Sequence, residues 1–265
     1  MTPERPLVLV GAGKMGGAML EGWLASGIDP RAIVVVEPHP ADTQPMQTPG
    51  LRVVAEPPAV VAGTLVLAVK PQMMGGVLPM LAAIRDEETL VISIAAGVTV
   101  KTLQTLGPGP IVRGMPNTPC SVGKGMTAAV AFGLSEAQHA LADKLLRGFG
   151  AVEWVKDEPL IDAATGVSGS GPAYVFYLVE CLAAAGVAEG LPPDVAAVLA
   201  RQTIIGAGAL LDRSTLDPAT LRRNVTSPGG TTAAALSVLM DTGDLEDLMT
   251  RAVHAATVRS RELGS

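Results

Sequence analysis

Leu7-Val8-Leu9-Val10-Gly11-Ala12-Gly13-Lys14-Met15-Gly16 (LVLVGAGKMG) runs four strand-forming residues straight into a G-x-G-x-x-G turn. Glycine-rich turns are common, so the pattern alone is weak. Here it follows a short apolar strand, opens a helix and begins an alternating strand–helix series, which is the context a dinucleotide site needs. Gly11 permits the tight turn, Gly13 lets the backbone approach a pyrophosphate, and Gly16 lets the helix pack closely on the sheet. Ala12, Lys14 and Met15 complete the loop. The plainer alternative is a structural strand–helix turn with no ligand.

The next strands extend the same reading. The second ends at Glu37, roughly 20 residues beyond Gly16, where a carboxylate can accept from the adenosine ribose hydroxyls and repel a 2′-phosphate. That leans towards NADH over NADPH, although His39 close by softens the repulsion. The fourth and fifth strands run into Ala68-Val69-Lys70-Pro71 and Ala95-Ala96-Gly97. Small residues at carboxyl ends of strands leave room for a flat nicotinamide, and Lys70 can reach a ribose or phosphate.

Strands are expected at Leu7–Val10, Ile33–Glu37, Arg52–Val54, Thr64–Val69, Leu90–Ala95 and Ile111–Arg113, with Thr127–Phe132 and Val152–Val155 extending the sheet. Lys14–Ala25 reads as a helix stopped at Gly27, and Ser135 with Gln138 forms a capping box for a helix to about Arg147. The alternation predicts a parallel α/β sheet, a Rossmann-type domain over 1–158. From 159 to 265 strand-like runs vanish. Helices are expected at Pro172–Ala188, Asp194–Leu211, Pro218–Arg223, Thr231–Met240 and Asp244–Glu262. Several are apolar around much of their circumference, which predicts a homo-oligomer formed through this second, all-α domain, a tight monomeric bundle being the alternative.

Composition excludes other classes. A net charge of −6 without a basic run argues against a nucleic-acid partner. Charged residues break the most apolar stretches, so no membrane span is expected, and the N-terminus lacks signal-peptide character. Cys120 and Cys181 show no metal or redox spacing; free thiols of a cytoplasmic protein are expected, a disulfide being the alternative. No zinc-ligand cluster is present, and the three histidines, His39, His139 and His254, lie outside the glycine- and turn-rich candidate sites. Reducing a ketone calls for a positioned acid. A protonated imine brings its own proton and asks less of the protein.

Three further stretches stand out, the first two defining no chemistry on general principles: Met115-Pro116-Asn117-Thr118-Pro119, Thr165 to Tyr174 (TGVSGSGPAY) and Val225 to Thr232 (VTSPGGTT). The last places a proline and two glycines before an alanine-rich helix. It is either a capped turn, with Thr231 or Thr232 as cap, or a helix start whose bare N–H groups seat an anion.

Together GAGKMG, AVKP, SIAAGV, VRGMPNTP, TGVSGSGPAY and VTSPGGTT resemble the pyrroline-5-carboxylate reductase family, in order and over nearly the whole chain. The resemblance implies a dinucleotide-binding domain and a helical dimerisation and substrate-binding domain, with interlocked subunits and in many members decamers. It implies an active site between the domains with residues from a neighbouring subunit, NADPH or NADH as cofactor, and Asn117 beside it. It also implies that Ser227, Gly229, Gly230, Thr231 and Thr232 hold the substrate, with the Thr232 hydroxyl near the imine nitrogen as polariser or proton relay. The Asp157–Glu158 pair matches an acidic position in some relatives, and a solvent-exposed boundary charge is the alternative.

Two rivals stay in view. A β-hydroxyacid dehydrogenase-like enzyme requires a lysine that the chain lacks after Ser168–Gly171. A non-catalytic dinucleotide sensor leaves the second anion seat without purpose.

Overall fold

The computed structural model describes residues 1–40, 44–241 and 244–264. Eight strands form one sheet: β1 (Leu7–Val10), β2 (Ile33–Val36), β3 (Arg52–Val54), β4 (Thr64–Leu67), β5 (Leu90–Ser93), β6 (Ile111–Met115), β7 (Gly125–Phe132) and β8 (Gly150–Trp154). Their spatial order is β3-β2-β1-β4-β5-β6-β7-β8. The order reverses between β1 and β4, and that switch point is where an open α/β sheet binds its ligand.

The sheet is parallel except where β6 meets β7 antiparallel, a departure from the all-parallel expectation. Residues 116–124 turn the chain back through a short 3-10 segment without a crossover helix, and only an antiparallel partner can be reached that way. The expected strands ending at Glu37, Val69 and Ala95 stop at Val36, Leu67 and Ser93. These overhanging residues leave the ladder at its carboxyl edge, where the cleft forms.

β1, β2, β4 and β5 are buried at every position because both faces are covered. Their side chains alternate between two cores. Leu7, Leu9, Ile33 and Val35 join Met19, Leu20 and Trp23 of α1 (Lys14–Ala25) on one face. Val8, Val10, Val34 and Val36 join Leu78 and Leu81 of α2 (Met74–Leu81) and Val100 and Leu103 of α3 (Val100–Leu103) on the other. The Trp23 indole N–H also donates to the Leu145 carbonyl in α4 (Glu136–Arg147), at 2.8 Å. The Ser135–Gln138 capping box opens α4 as the spacing predicts.

Compact packing divides the chain elsewhere than the change of rhythm at 158. Residues 1–170 form one unit together with the last turns from Ala255, and Gly171–His254 form the other. The difference lies in α5 (Pro159–Ala164), whose Ile161 is buried against Ala128 and Val130 of β7. α5 runs into a π-helical turn, Thr165–Gly169, so helical rhythm begins before the sheet's own core ends.

The second unit contains α6 (Gly171–Ala188), α7 (Pro193–Arg213), α8 (Pro218–Asn224), α9 (Thr231–Met240) and the first turns of α10 (Asp244–Leu263). α6 and α7 form a hairpin in which Ala196 and Ala200 are buried. No residue of α6 or α9 is buried, although both helices are strongly apolar. Phe176, Val198 and Val238 are 63%, 67% and 72% exposed. Pro159–Ala188 and Pro193–Arg213 are long and apolar enough to cross a membrane by length and composition.

Candidate functional site

The glycine-rich turn is shaped by close approach at Gly11 and at Gly16. Gly11 has φ +90°, and a Cβ there would stand 2.8 Å from Val69 Cγ1 and 3.0 Å from the Ala68 carbonyl. A Cβ on Gly16 would lie 2.1 Å from the Gly11 carbonyl oxygen. Gly13 differs, since nothing lies within 4 Å of its missing side chain. It is the N-cap of α1 and makes no side-chain cap bond, so the first-turn amides have no side-chain acceptor among the described residues. Open space and unclaimed donors at a helix start fit a pyrophosphate.

Two hollows flank this turn. A cleft of about 240 Å³ is lined by Gly11, Gly13, Glu37, Ala68, Val69 and Lys70, with Ala55, Pro57, Met73, Val77 and Met80 closing its apolar wall. A second, of about 350 Å³, is lined by Ala12, Gly13, Lys14 and Gly17, with Pro45 and Ser121 opposite. The apolar cleft beside the carboxylate suits an adenosine. Val77 and Met80 of that wall belong to α2, which sequence reasoning missed, and Met73 lies just before it. Met73, Val77 and Met80 do carry helical spacing, but Gly75, Gly76 and Pro79 mask it.

Glu37 is half-buried at the mouth of the cleft. Its Oε2 accepts from the Ala12 N–H at 2.9 Å and its Oε1 from the His39 N–H at 3.1 Å. Among the other nucleotide-site candidates, Met15 turns into the core, its Sδ 2.9 Å from Cys120 Sγ. It contributes backbone to the turn, not a contact surface. Pro71 opens a 3-10 turn, Pro71–Met73. Ala95 is buried, and Gly97, at φ +73°, presses on the chain's last turn, where a Cβ would meet the Leu263 carbonyl at 2.8 Å. Ala96 lies between them in the same loop.

Asn117 is engaged with protein. Its Nδ2 donates to the Ser168 carbonyl (3.1 Å) and lies 3.2 Å from Ser168 Oγ, while its Oδ1 accepts from the Met126 N–H (2.8 Å). One amide therefore joins the Met115–Pro119 loop to the π-helical turn and to β7.

In the second unit, the N-cap of α9 is Gly230, so neither Thr231 nor Thr232 caps it, and no side-chain cap bond forms. Gly229 takes φ +69°, and the Gly230 N–H donates to the Ser227 carbonyl at 3.0 Å. The bend thus ends in a second helix start whose amides have no side-chain acceptor among the described residues. Thr232 sits half-buried in that first turn. The capped-turn reading loses its cap.

Residues 158–263 match a family model described as pyrroline-5-carboxylate reductase dimerisation, and residues 6–97 match one described as coenzyme F420-dependent NADP oxidoreductase. A pyrroline-5-carboxylate reductase of Synechocystis sp. is 43% identical, with 97% of this chain and 98% of that protein aligned. The chain belongs to the pyrroline-5-carboxylate reductase family. A reductase of this family from Pisum sativum is 38% identical over 97% of this chain and 95% of its own. The family structure from Coxiella burnetii has TM-score 0.91, 36% identity and 99% coverage of both chains. A Plasmodium falciparum pyrroline carboxylate reductase, solved with NADP bound, has TM-score 0.79 at 29% identity and full coverage of both.

Within this reductase-family chain, Glu158 is not a free boundary charge. It accepts from the buried Arg113 guanidinium at 2.7 Å and from the Val100 N–H at 2.8 Å. Asp162 lies 3.6 Å from Arg113 Nη2 and accepts from Ser260 Oγ at 2.7 Å. Sequence reasoning missed this cluster; a lone arginine inside an apolar strand was its available signal. Cys120 and Cys181 are both free, the first buried and the second exposed.

Proposed function

We propose that the chain reduces the cyclic imine 1-pyrroline-5-carboxylate to proline with a reduced nicotinamide dinucleotide. The observation that carries this reading is a pair of helix starts, at Gly13 and Gly230, each capped by a glycine without a side-chain acceptor. The first serves the cofactor's pyrophosphate, with Lys14 at its edge. The second, Ser227–Thr232, serves the substrate carboxylate.

Bound reduced nicotinamide supplies a hydride. The protein's own residues hold the reactants together and exclude competing orientations, which is worth more here than acid–base strength. Main-chain N–H groups of the Gly229–Thr232 turn fix the carboxylate without a lysine or arginine. The Thr232 hydroxyl donates to the ring nitrogen as the C=N π electrons move onto it. With the imine protonated beforehand, hydride addition gives the neutral amine and no further proton is needed for the step.

We assign NADH as the preferred cofactor from Glu37, and a homodimer from the exposed apolar faces of α6, α7 and α9. The dimerisation-model match over 158–263 supports self-association. Higher assembly into a decamer rests on the family resemblance alone. The test is oxidation of NADH and of NADPH at equal concentration, with and without the imine, and proline measured as product. Proline formation with NADH favoured over NADPH is expected. No imine-dependent oxidation with either cofactor removes the reading; a large preference for NADPH removes only the assignment drawn from Glu37.

A further inference from the structure

We propose that Glu37 is a positioning residue for the glycine-rich turn as well as the acceptor for the adenosine ribose, so that cofactor choice and turn geometry are coupled through one side chain. This rests on the dinucleotide reading of the cleft. The turn is clamped from two sides. On one, Gly11 is pressed against Ala68 and Val69, with no space for a Cβ. On the other, the Glu37 carboxylate takes the Ala12 N–H at 2.9 Å and anchors its second oxygen to the His39 N–H at 3.1 Å. Backbone bonds fix both ends of this clasp. Gly11 N–H donates to the Val36 carbonyl and Glu37 N–H to the Val54 carbonyl, each at 2.9 Å.

An ionised carboxylate offers about four lone-pair sites on its two oxygens. The Ala12 and His39 amides take one on each oxygen and leave one on each. Two remaining acceptors match the two hydroxyls of an adenosine ribose. A 2′-phosphate brings no proton for them and adds like charge. The Ala12 amide is also withdrawn from the ligand, leaving the α1 amides beyond Gly13 to meet the pyrophosphate. Removing the carboxylate to admit NADPH therefore also frees the Ala12 amide and loosens the turn that holds either cofactor.

The test uses the whole protein with Glu37→Ala and Glu37→Gln. Amide exchange at Ala12 reads the clasp without any ligand. Affinity for reduced nicotinamide mononucleotide reads the turn, because that probe keeps a phosphate and lacks the adenosine ribose. In Glu37→Ala, exchange at Ala12 is expected to rise, and affinity for the mononucleotide to fall, each by about tenfold, as for loss of a bond to a charged acceptor. Glu37→Gln is expected to recover much of the Ala12 protection, since an amide oxygen accepts the same bond. Exchange at Val8 and Val35 stays slow in both variants if the sheet is intact. Wild-type exchange at Ala12 and wild-type mononucleotide affinity in Glu37→Ala, with only NADH binding weakened, would overturn the proposal. Neither readout involves the imine, so a protein that fails to reduce it can still confirm or refute the clasp.

Discussion

Arg113 Nη1 stands 2.7 Å from Glu158 Oε1, and the arginine side chain is only 5% exposed. Through Glu158 it reaches the Val100 N–H at the start of α3, and through Asp162 it reaches Ser260 in the last turns of α10. One cation inside β6 thus ties α3, α5 and the end of the chain to the sheet, next to the Ala95–Gly97 loop. Arg113→Ala leaves two partly buried carboxylates without their cation and is expected to cost about 3 kcal/mol. Urea denaturation measures it. A loss below about 1 kcal/mol, the range of an exposed pair, contradicts the assignment.

Gly13 and Gly16 separate ligand approach from packing. Gly16→Ala drives a methyl into the Gly11 carbonyl oxygen at 2.1 Å and is expected to destabilise the fold by about 3 kcal/mol. Gly13→Ala meets nothing within 4 Å, so its melting temperature stays near wild type while dinucleotide affinity falls. Calorimetry for melting and titration for affinity distinguish the two. Equal cofactor affinity in Gly13→Ala would place the pyrophosphate elsewhere.

Asp143 gives a signed pH effect. The Arg147 side chain, assisted by the Trp154 indole, holds its carboxyl below the ordinary carboxylate range, against the opposing effect of burial. A lowered folded-state value means the stabilisation is fully present above the ordinary carboxylate pKa and is lost as pH falls through the lowered one. Asp143→Asn should therefore be less stable than wild type near neutrality. The gap should close below about pH 4. Thermal melts across that window, followed by tryptophan fluorescence, show it; a gap that widens in acid contradicts it.

Thr232→Ala is expected to lower turnover by about tenfold, the scale of one hydrogen bond to the reacting nitrogen, while dinucleotide affinity in the other unit is unchanged. In wild type, turnover is expected to fall as pH rises and the imine loses its proton. Full turnover and substrate affinity in Thr232→Ala would remove the hydroxyl from the reaction.

Much of this was legible because it is local. Val-rich runs buried on both faces announce parallel strands, and Gly11-x-Gly13 followed by Gly16 states its own geometry. Ser135 with Gln138 forms the capping box that their spacing predicts. What escaped depends on residues far apart in sequence or on competing propensities. α2 was hidden by two glycines and Pro79, although its Val77 and Met80 line the cleft wall. The Ser168–Asn117 contact joins positions 51 residues apart, and the Arg113 cluster draws on four separate elements. The Gly230 cap, unlike a threonine cap, became visible only once the backbone of the bend was known.

The central claim is transfer of a hydride from a nicotinamide to an imine carbon while each ligand is held at its own helix start. Its most direct measurement is reduction of pyrroline-5-carboxylate with NADH carrying deuterium at the transferring position, followed by mass and NMR analysis of the proline. The account predicts a single deuterium on the former imine carbon, with none exchanged to solvent. Proline without that label, or no proline at all, would contradict it.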